Sequence, residues 1–308
     1  MLYYQIRIGA GGWGYFNLPN GDRLKAYSSV YDFVEVNSTY YRLPSPSAIA
    51  SWRRRVSPGF EFSVRCQRDL AELHRFELTP QTVRIIDSME KTCRYLKATV
   101  LTILVPKALV GEIELASKLN NFLSTTSFGE TRIAIEFRGS DPTEDTLKIL
   151  QDHDAVHSVD LSTQDPKVDS SILYSRLFGR GKENIYEFDD NELQDIATKA
   201  SGPKFDQSIL AFHGVRMYGD AARLKTFLTS GKFPSITGQV GLGSLGEVLG
   251  EDARFPTTKS QLVEEQGWKL YDKSGEERAR AREVLEKLPE GTYPTLDNVL
   301  ASLKRTVL

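Results

Sequence analysis

Eight short apolar runs, separated mostly by stretches of helical periodicity, fill the first ~230 residues of this chain. The runs fall at residues 4–9, 32–37, 60–65, 99–105, 132–137, 155–160, 172–178 and 208–213. Helical patterns lie between them, at 22–30, from Ser45, from Thr79, at 112–123, from Asp141, from Asp189 or Asp190 to 200, and at 220–228. Ser45 is a capping residue with Pro46 at the first helical position, and Ile49, Trp52 and Val56 recur at helical spacing. Behind Thr79-Pro80, Val83, Ile86, Met89, Cys93 and Leu96 share one face. Parallel strands joined by right-handed crossovers close most simply into a ring. Eight such units predict a (β/α)8 barrel of the TIM type, whose usual size is about 250 residues. One unit is degenerate, because residues 161–171 are too few for a crossover helix.

The pattern changes after Gly231. Gly238, Gly241, Gly243, Gly246 and Gly250 punctuate residues 233–254, which read as a Gly-rich linker. Residues 255–308 hold three short helical patterns. One starts near Thr258, one is the charged stretch 276–288, and the last carries Leu296, Val299, Leu300 and Leu303. The expected organisation is a barrel domain at 1–232, a linker at 233–254 and a small all-helical module at 255–308. A module of about 50 residues is marginal alone and is expected to dock on the barrel.

Composition bounds the function. A net charge of −2 and a pI near 6.2 argue against a protein that coats nucleic acid generally, and leave room for a local basic patch. Cys66 and Cys93 make neither a disulfide framework nor metal-ligand spacing, which fits a reducing compartment. No charged and apolar leader opens the chain, and no uncharged apolar run approaches the ~18 residues of a membrane span. The expected location is cytoplasmic, with no membrane partner.

In such a barrel, side chains at the C-terminal ends of the strands face a common pocket. Those ends supply Glu35, Asn37, Arg65, Glu136, Arg138, Asp160, Arg176 and His213. So many charges cannot be buried unpaired. They form an ion-pair network that plugs the barrel top, or they hold a ligand, or both. Arg65, Arg138 and Arg176 suit bidentate capture of a carboxylate or phosphate. Glu35 and Glu136 suit general acid and base work, or, with Asp160 and His213, a divalent ion. His74 is a further acid/base candidate, against the alternative of a solvated loop histidine. Trp13, Tyr40 and Tyr41 can wall a stacking site for a sugar or base, or simply pack loops over the mouth. Arg53-Arg54-Arg55 is a basic run whose bland reading is a solvated helix face.

Gly9-Ala10-Gly11-Gly12-Trp13-Gly14 satisfies a dinucleotide-binding spacing, with Glu35 about 20 residues on. That fingerprint needs a helix opening inside the glycines. Residues 15–21 read as loop, so no nicotinamide cofactor is expected.

The stretch Val-Glu-Val-Asn-Ser-Thr-Tyr-Tyr-Arg-Leu-Pro at 34–44 resembles the Val-Glu-x-Asn-Ser-Thr-Phe-Tyr-x-x-Pro motif of the YecE-like TIM-barrel family, a domain of unknown function. Gly9 through Trp13, Trp52, Leu73-His74, Glu136-Phe137-Arg138 and Arg176-Leu177-x-Gly179-Arg180 fall in the family's order over about the first 225 residues. The chain departs from the family at several positions. Phe178 stands for a histidine, Leu104 for a glutamine, Arg65 for a lysine, and His213-Gly214 for an Asn-Asn pair. The resemblance implies a TIM barrel and no particular reaction.

Three functions are open at this point. The first is a hydrolase-like enzyme acting on a phosphate-bearing or otherwise anionic substrate, nucleic acid included, with a divalent metal allowed as a helper. The second is a non-catalytic module that binds nucleic acid or an anionic metabolite. The third is a glycoside hydrolase, which needs two carboxylates about 5–10 Å apart.

Overall fold

A computed structural model of the chain describes residues 6–17 and 20–307. Eight parallel strands appear where the apolar runs predict them. They are β1 Ile6–Ala10, β2 Phe33–Val36, β3 Glu61–Arg65, β4 Val100–Val105, β5 Arg132–Phe137, β6 Val156–Ser158, β7 Ile172–Leu177 and β8 Gln207–Phe212. Residues 4 and 5 of the first expected strand lie outside the described residues. The sheet order is β6-β5-β4-β3-β2-β1-β8-β7. The seam between β6 and β7 is closed, among the described residues, by one bridge pairing Val159 with Ser175, beside which the Arg176 amide donates to the Val159 carbonyl at 3.0 Å. This is the expected (β/α)8 barrel, and its degenerate unit is the one lacking a helix between β6 and β7.

Capping residues set the helix starts. Asp22 caps Arg23–Val30, Ser45 caps Pro46–Arg54, and Thr79 with Thr82 forms a capping box on Pro80–Leu96. The helix expected from Asp141 starts later, at Glu144, because the Thr143 side chain is the cap; Asp141 pairs with Lys167 instead. The basic run is only partly a solvated face. Arg53 donates to the Phe60 carbonyl at 2.8 Å and lies over the Phe62 ring.

Side chains on a strand alternate between faces, so interior positions recur every second residue. Phe33, Val100, Ala134, Val156, Tyr174, Ile209 and Ala211 form one buried apolar cluster inside the ring. Two residues on from six of these seven positions come Glu35, Thr102, Glu136, Ser158, Arg176 and His213, all buried. The apolar layer is therefore the floor, and the polar layer the beginning of the mouth. Gly9 has a packing reason: a Cβ there would come within 1.9 Å of the Phe33 carbonyl oxygen. Tyr27 holds the same corner, donating to that carbonyl at 2.8 Å and accepting from the Ala10 amide at 2.7 Å.

His157 has the opposite parity and faces outward, under Phe137. Its Nδ1 accepts the Lys167 amide at 3.1 Å. Burial and the Lys167 charge push its pKa down to about 4, from 6.5. The unfolded chain takes up this proton near 6.5 and the folded chain only near 4. Stability is thus full above 6.5 and falls as the pH drops toward 4, by about 2–3 kcal/mol. His157→Asn keeps an acceptor near the Nδ1 position and is expected to flatten that window in urea melts. An unchanged slope in the variant would exclude His157 as the source.

The chain divides into two compact units. One holds residues 1–178, 196–213 and 217–222; the other holds 179–195, 214–216 and 223–308. The second unit has its own core, built on Leu245, Val248, Leu249, Leu285, Val299 and Leu303. Its expected composition needs two corrections. It is not all-helical, because the short strands β9 Thr257–Thr258, β10 Leu270–Asp272, β11 Arg278–Arg280 and β12 Thr292–Tyr293 form two antiparallel ribbons, β10 with β11 and β9 with β12. The glycine-rich stretch is not simply linker, since Leu242–Gly250 is a helix. Gly246 lets that helix approach the C-terminal helix Leu296–Val307, as a Cβ there would lie 3.0 Å from Leu300. The charged stretch 276–288 begins as β11 and becomes helical only at Ala281–Leu285. Within this unit Glu187 accepts the Leu270 amide at 2.7 Å, and Asp190 takes Arg223 and Arg278, each at 2.6 Å. No helix among the described residues is long and apolar enough to cross a membrane.

Candidate functional site

Glu35, at the end of β2, is wholly buried, and its carboxylate is fully engaged. Arg176 on β7 grips it with two bonds, Nε to Oε2 at 2.9 Å and Nη2 to Oε1 at 3.0 Å. Tyr174 donates its hydroxyl to Oε2 at 2.7 Å, and Ser63 meets the same hydroxyl at 2.7 Å. His213 Nε2 lies 3.3 Å from Oε1. Nη1 of Arg176 reaches Glu136 Oε2 at 2.5 Å, and Arg138 Nε is 2.7 Å from Glu136 Oε1. The sequence Glu35, Arg176, Glu136, Arg138 thus climbs from the floor to the rim, where the Arg138 side chain is 40% exposed.

Burial pushes the Glu35 carboxyl up, but Arg176 and His213 outweigh it and hold it well below the carboxylate range. Burial lowers the Arg176 pKa, and Glu136 and Glu35 more than reverse that. Burial and the Glu35 charge raise the Tyr174 hydroxyl, so it remains a donor. His213 is lowered by burial and by Arg176, and is neutral at neutral pH. Its ring stacks on Phe178 at 4.8 Å, with an interplanar angle of 21°. Its other neighbour is Gly11, where a Cβ would sit 2.3 Å from Nδ1. The glycines after β1 therefore make room for the site, and the first helix after them opens only at Arg23.

Arg65 is differently placed. It is 8% exposed at the end of β3. Nη1 donates to Asn37 Oδ1 at 2.6 Å, the guanidinium lies 3.5 Å from the Tyr40 ring centroid, and Nε has no partner. It forms no ion pair among the described residues, and Glu35 acts on its charge only from further off. Burial and Arg176 lower its pKa from the usual guanidinium value. Glu35 and Glu136 are thus paired with Arg176 and Arg138, and Arg65 is left outside their ion pairs.

Two clefts open beside this network. A cleft of about 260 Å³ is lined by Tyr40, Arg65, Glu72, Leu104, Lys107 and Arg138. Its acidic residue, Glu72, is hydrogen-bonded to the Tyr40 hydroxyl. Lys107 lays its stem along Gly139 and makes no ion pair among the described residues. A second cleft, of about 490 Å³, is lined by the 11–14 turn with Trp13, Tyr15, Asn37, Ser38 and Tyr41. Trp13 stands edge-on to Trp52 at 5.4 Å, and Tyr40 to Tyr41 at 5.1 Å.

The structure brings together Glu35, Glu136, Arg138, Arg176 and His213, with Asn37, Arg65 and Tyr40 beside them. Asp160 is adjacent but committed elsewhere. Its Oδ2 accepts the Phe178 amide at 2.8 Å, and its Oδ1 accepts the Ser162 amide and hydroxyl at 3.0 and 2.6 Å. His74 stays in its loop, and its side chain joins none of these bonds. No group of three or more His, Cys, Asp or Glu side chains among the described residues is arranged to hold a metal ion. The set Glu35, Glu136, Asp160 and His213 fails as such a group because Arg176 stands between the two glutamates and Asp160 turns to backbone. Sequence reasoning missed Tyr174, Ser63, Glu72 and Lys107. Tyr174 carried a readable signal, since it lies two residues before Arg176 and so shares its face.

Residues 7–232 match the family described as "Protein of unknown function DUF72". Among solved structures, a DUF72 family protein of Thermotoga maritima is 18% identical, spans 73% of this chain and 100% of its own, and superimposes with a TM-score of 0.60. A DUF72 family protein of Enterococcus faecalis is 17% identical over 73% of this chain and 98% of its own, with a TM-score of 0.57. At such identity the likeness carries the fold alone. No curated protein matches the sequence. With the family motif residues at the strand ends of a (β/α)8 barrel and the match spanning that barrel, this chain belongs to the DUF72 family.

Proposed function

We propose that the barrel mouth binds a phosphate- or carboxylate-bearing substrate and acts on it as a hydrolase. The observation that carries this reading is Arg65, a buried guanidinium with no carboxylate partner, opening on a cleft shared with Lys107 and Arg138. A buried charge of this kind is costly unless something neutralises it. An anion in the cleft does so, and three cations around it stabilise negative charge that develops during reaction. His213 is the acid/base candidate: it is neutral, within reach of Glu35, and has its Nδ1 edge against the open glycine turn. Glu35 serves as a positioning residue for His213 and Arg176. The glycosidase reading is weaker, because the space between Glu35 and Glu136 holds a guanidinium in place of a glycosidic bond and water.

A second reading, a binding module without turnover, draws on the engagement of both carboxylates by arginines. One experiment separates the two. Purified protein is assayed with aryl phosphate monoesters, diesters and carboxylate esters, and inorganic phosphate binding is followed in parallel. Turnover that falls about 100-fold in His213→Gln, with phosphate affinity retained, supports the enzyme. Binding without turnover supports the module. If no anion binds, both fail.

A further inference from the structure

The two clefts are neighbours with different chemistry. Asn37 lines the larger and Arg65 the smaller, and these two side chains are hydrogen-bonded at 2.6 Å. Tyr40 and Tyr41, one for each cleft, touch edge to face. The smaller cleft is cationic. The larger offers ring surface: Tyr15 is 88% and Tyr41 64% exposed, and Trp13 is partly open. Exposed rings on both sides of a glycine turn are unusual for residues with nothing to cover, since packing ordinarily buries them.

Resting on the anion reading above, we infer that the ligand is a nucleoside monophosphate, its base stacked in the Trp13–Tyr41 cleft and its phosphate at Arg65, Lys107 and Arg138. A flat heteroaromatic ring suits this lining better than a sugar does. A sugar's hydroxyls need many polar side chains, yet the non-aromatic ones here are Asn37 and Ser38, and the Asn37 carbonyl is already taken by Arg65. The glycines let a planar ring lie close to backbone. The larger cleft alone is within the size range of small-molecule sites.

The test is calorimetric titration of the full chain with adenosine monophosphate, inorganic phosphate, adenosine and ribose 5-phosphate. Base stacking is expected to make the nucleotide bind about tenfold or more tighter than phosphate. Tyr41→Ala, which removes an exposed ring and leaves the core intact, is expected to erase most of that advantage without altering phosphate binding. Trp13→Ala repeats the test from the other wall. Arg65→Met is expected to weaken both phosphate and nucleotide. Ribose 5-phosphate binding as tightly as the nucleotide, or nucleotide binding no tighter than phosphate, overturns the base pocket and leaves the anion site standing. Adenosine matching the nucleotide overturns the two-part ligand. Failure of phosphate and nucleotide alike removes the anion site as well.

Discussion

Arg176→Ala is expected to cost about 3–5 kcal/mol of stability, the largest loss of any single polar substitution in the barrel. The reason is the carboxylate it leaves behind. Glu35 is wholly buried, and Arg176 supplies two of its hydrogen bonds and the guanidinium charge beside it. Without Arg176, Glu35 keeps the Tyr174 hydroxyl and a neutral histidine. Urea unfolding at neutral pH measures the loss directly. The pairing account makes a second, sharper demand. Glu35→Leu combined with Arg176→Met removes both charges, and is expected to recover most of the stability, because well-packed apolar residues replace a buried ion pair at little cost. Glu136 retains Arg138 in that double variant. If the double variant is as unstable as the single, volume and not charge is what Arg176 supplies.

Arg65→Met is expected to move stability and binding in opposite directions. The free protein gains about 1 kcal/mol, since an uncompensated buried cation is removed, less one hydrogen bond to Asn37 and one contact with Tyr40. Anion affinity falls by about 100-fold or more, the usual scale for losing a buried charged partner. Thermal melting with and without phosphate reads both effects in one experiment. A variant that is less stable and still binds phosphate would falsify the role assigned to Arg65.

The barrel was legible in the sequence because its strands are short, mostly apolar runs set between helical patterns. Val100–Val105 is buried throughout and could be little else. The candidate residues were legible for a related reason. Glu35, Glu136 and Arg176 break apolar runs where a strand meets its loop, and a charge there must have a purpose. Pairing was not legible, since Glu35 and Arg176 are far apart in the chain and on strands that are not neighbours. Asp160 shows the limit of position alone: it stands at a strand end like the others, yet satisfies backbone two residues on and across the seam. In the second unit, strands of two or three residues are too short to show alternation. The glycines of Leu242–Gly250 look like linker because their use, close approach of another helix at Gly246, is a property of the partner helix and not of the segment itself.

A hoop riveted at a single point yields there first. In this barrel the rivet is the Val159–Ser175 bridge, reinforced by the Arg176 amide on one side and by Asp160 reaching the Phe178 amide across it. Local opening takes least free energy where fewest bonds resist it. The amides of Arg176 and Phe178 should therefore exchange with solvent hydrogen sooner than those of β4 and β5, which pair along their whole length. Since Arg176 carries both glutamates on its side chain, the girth of the barrel at its slackest joint is tied to the geometry of the most heavily charged residue cluster at the mouth.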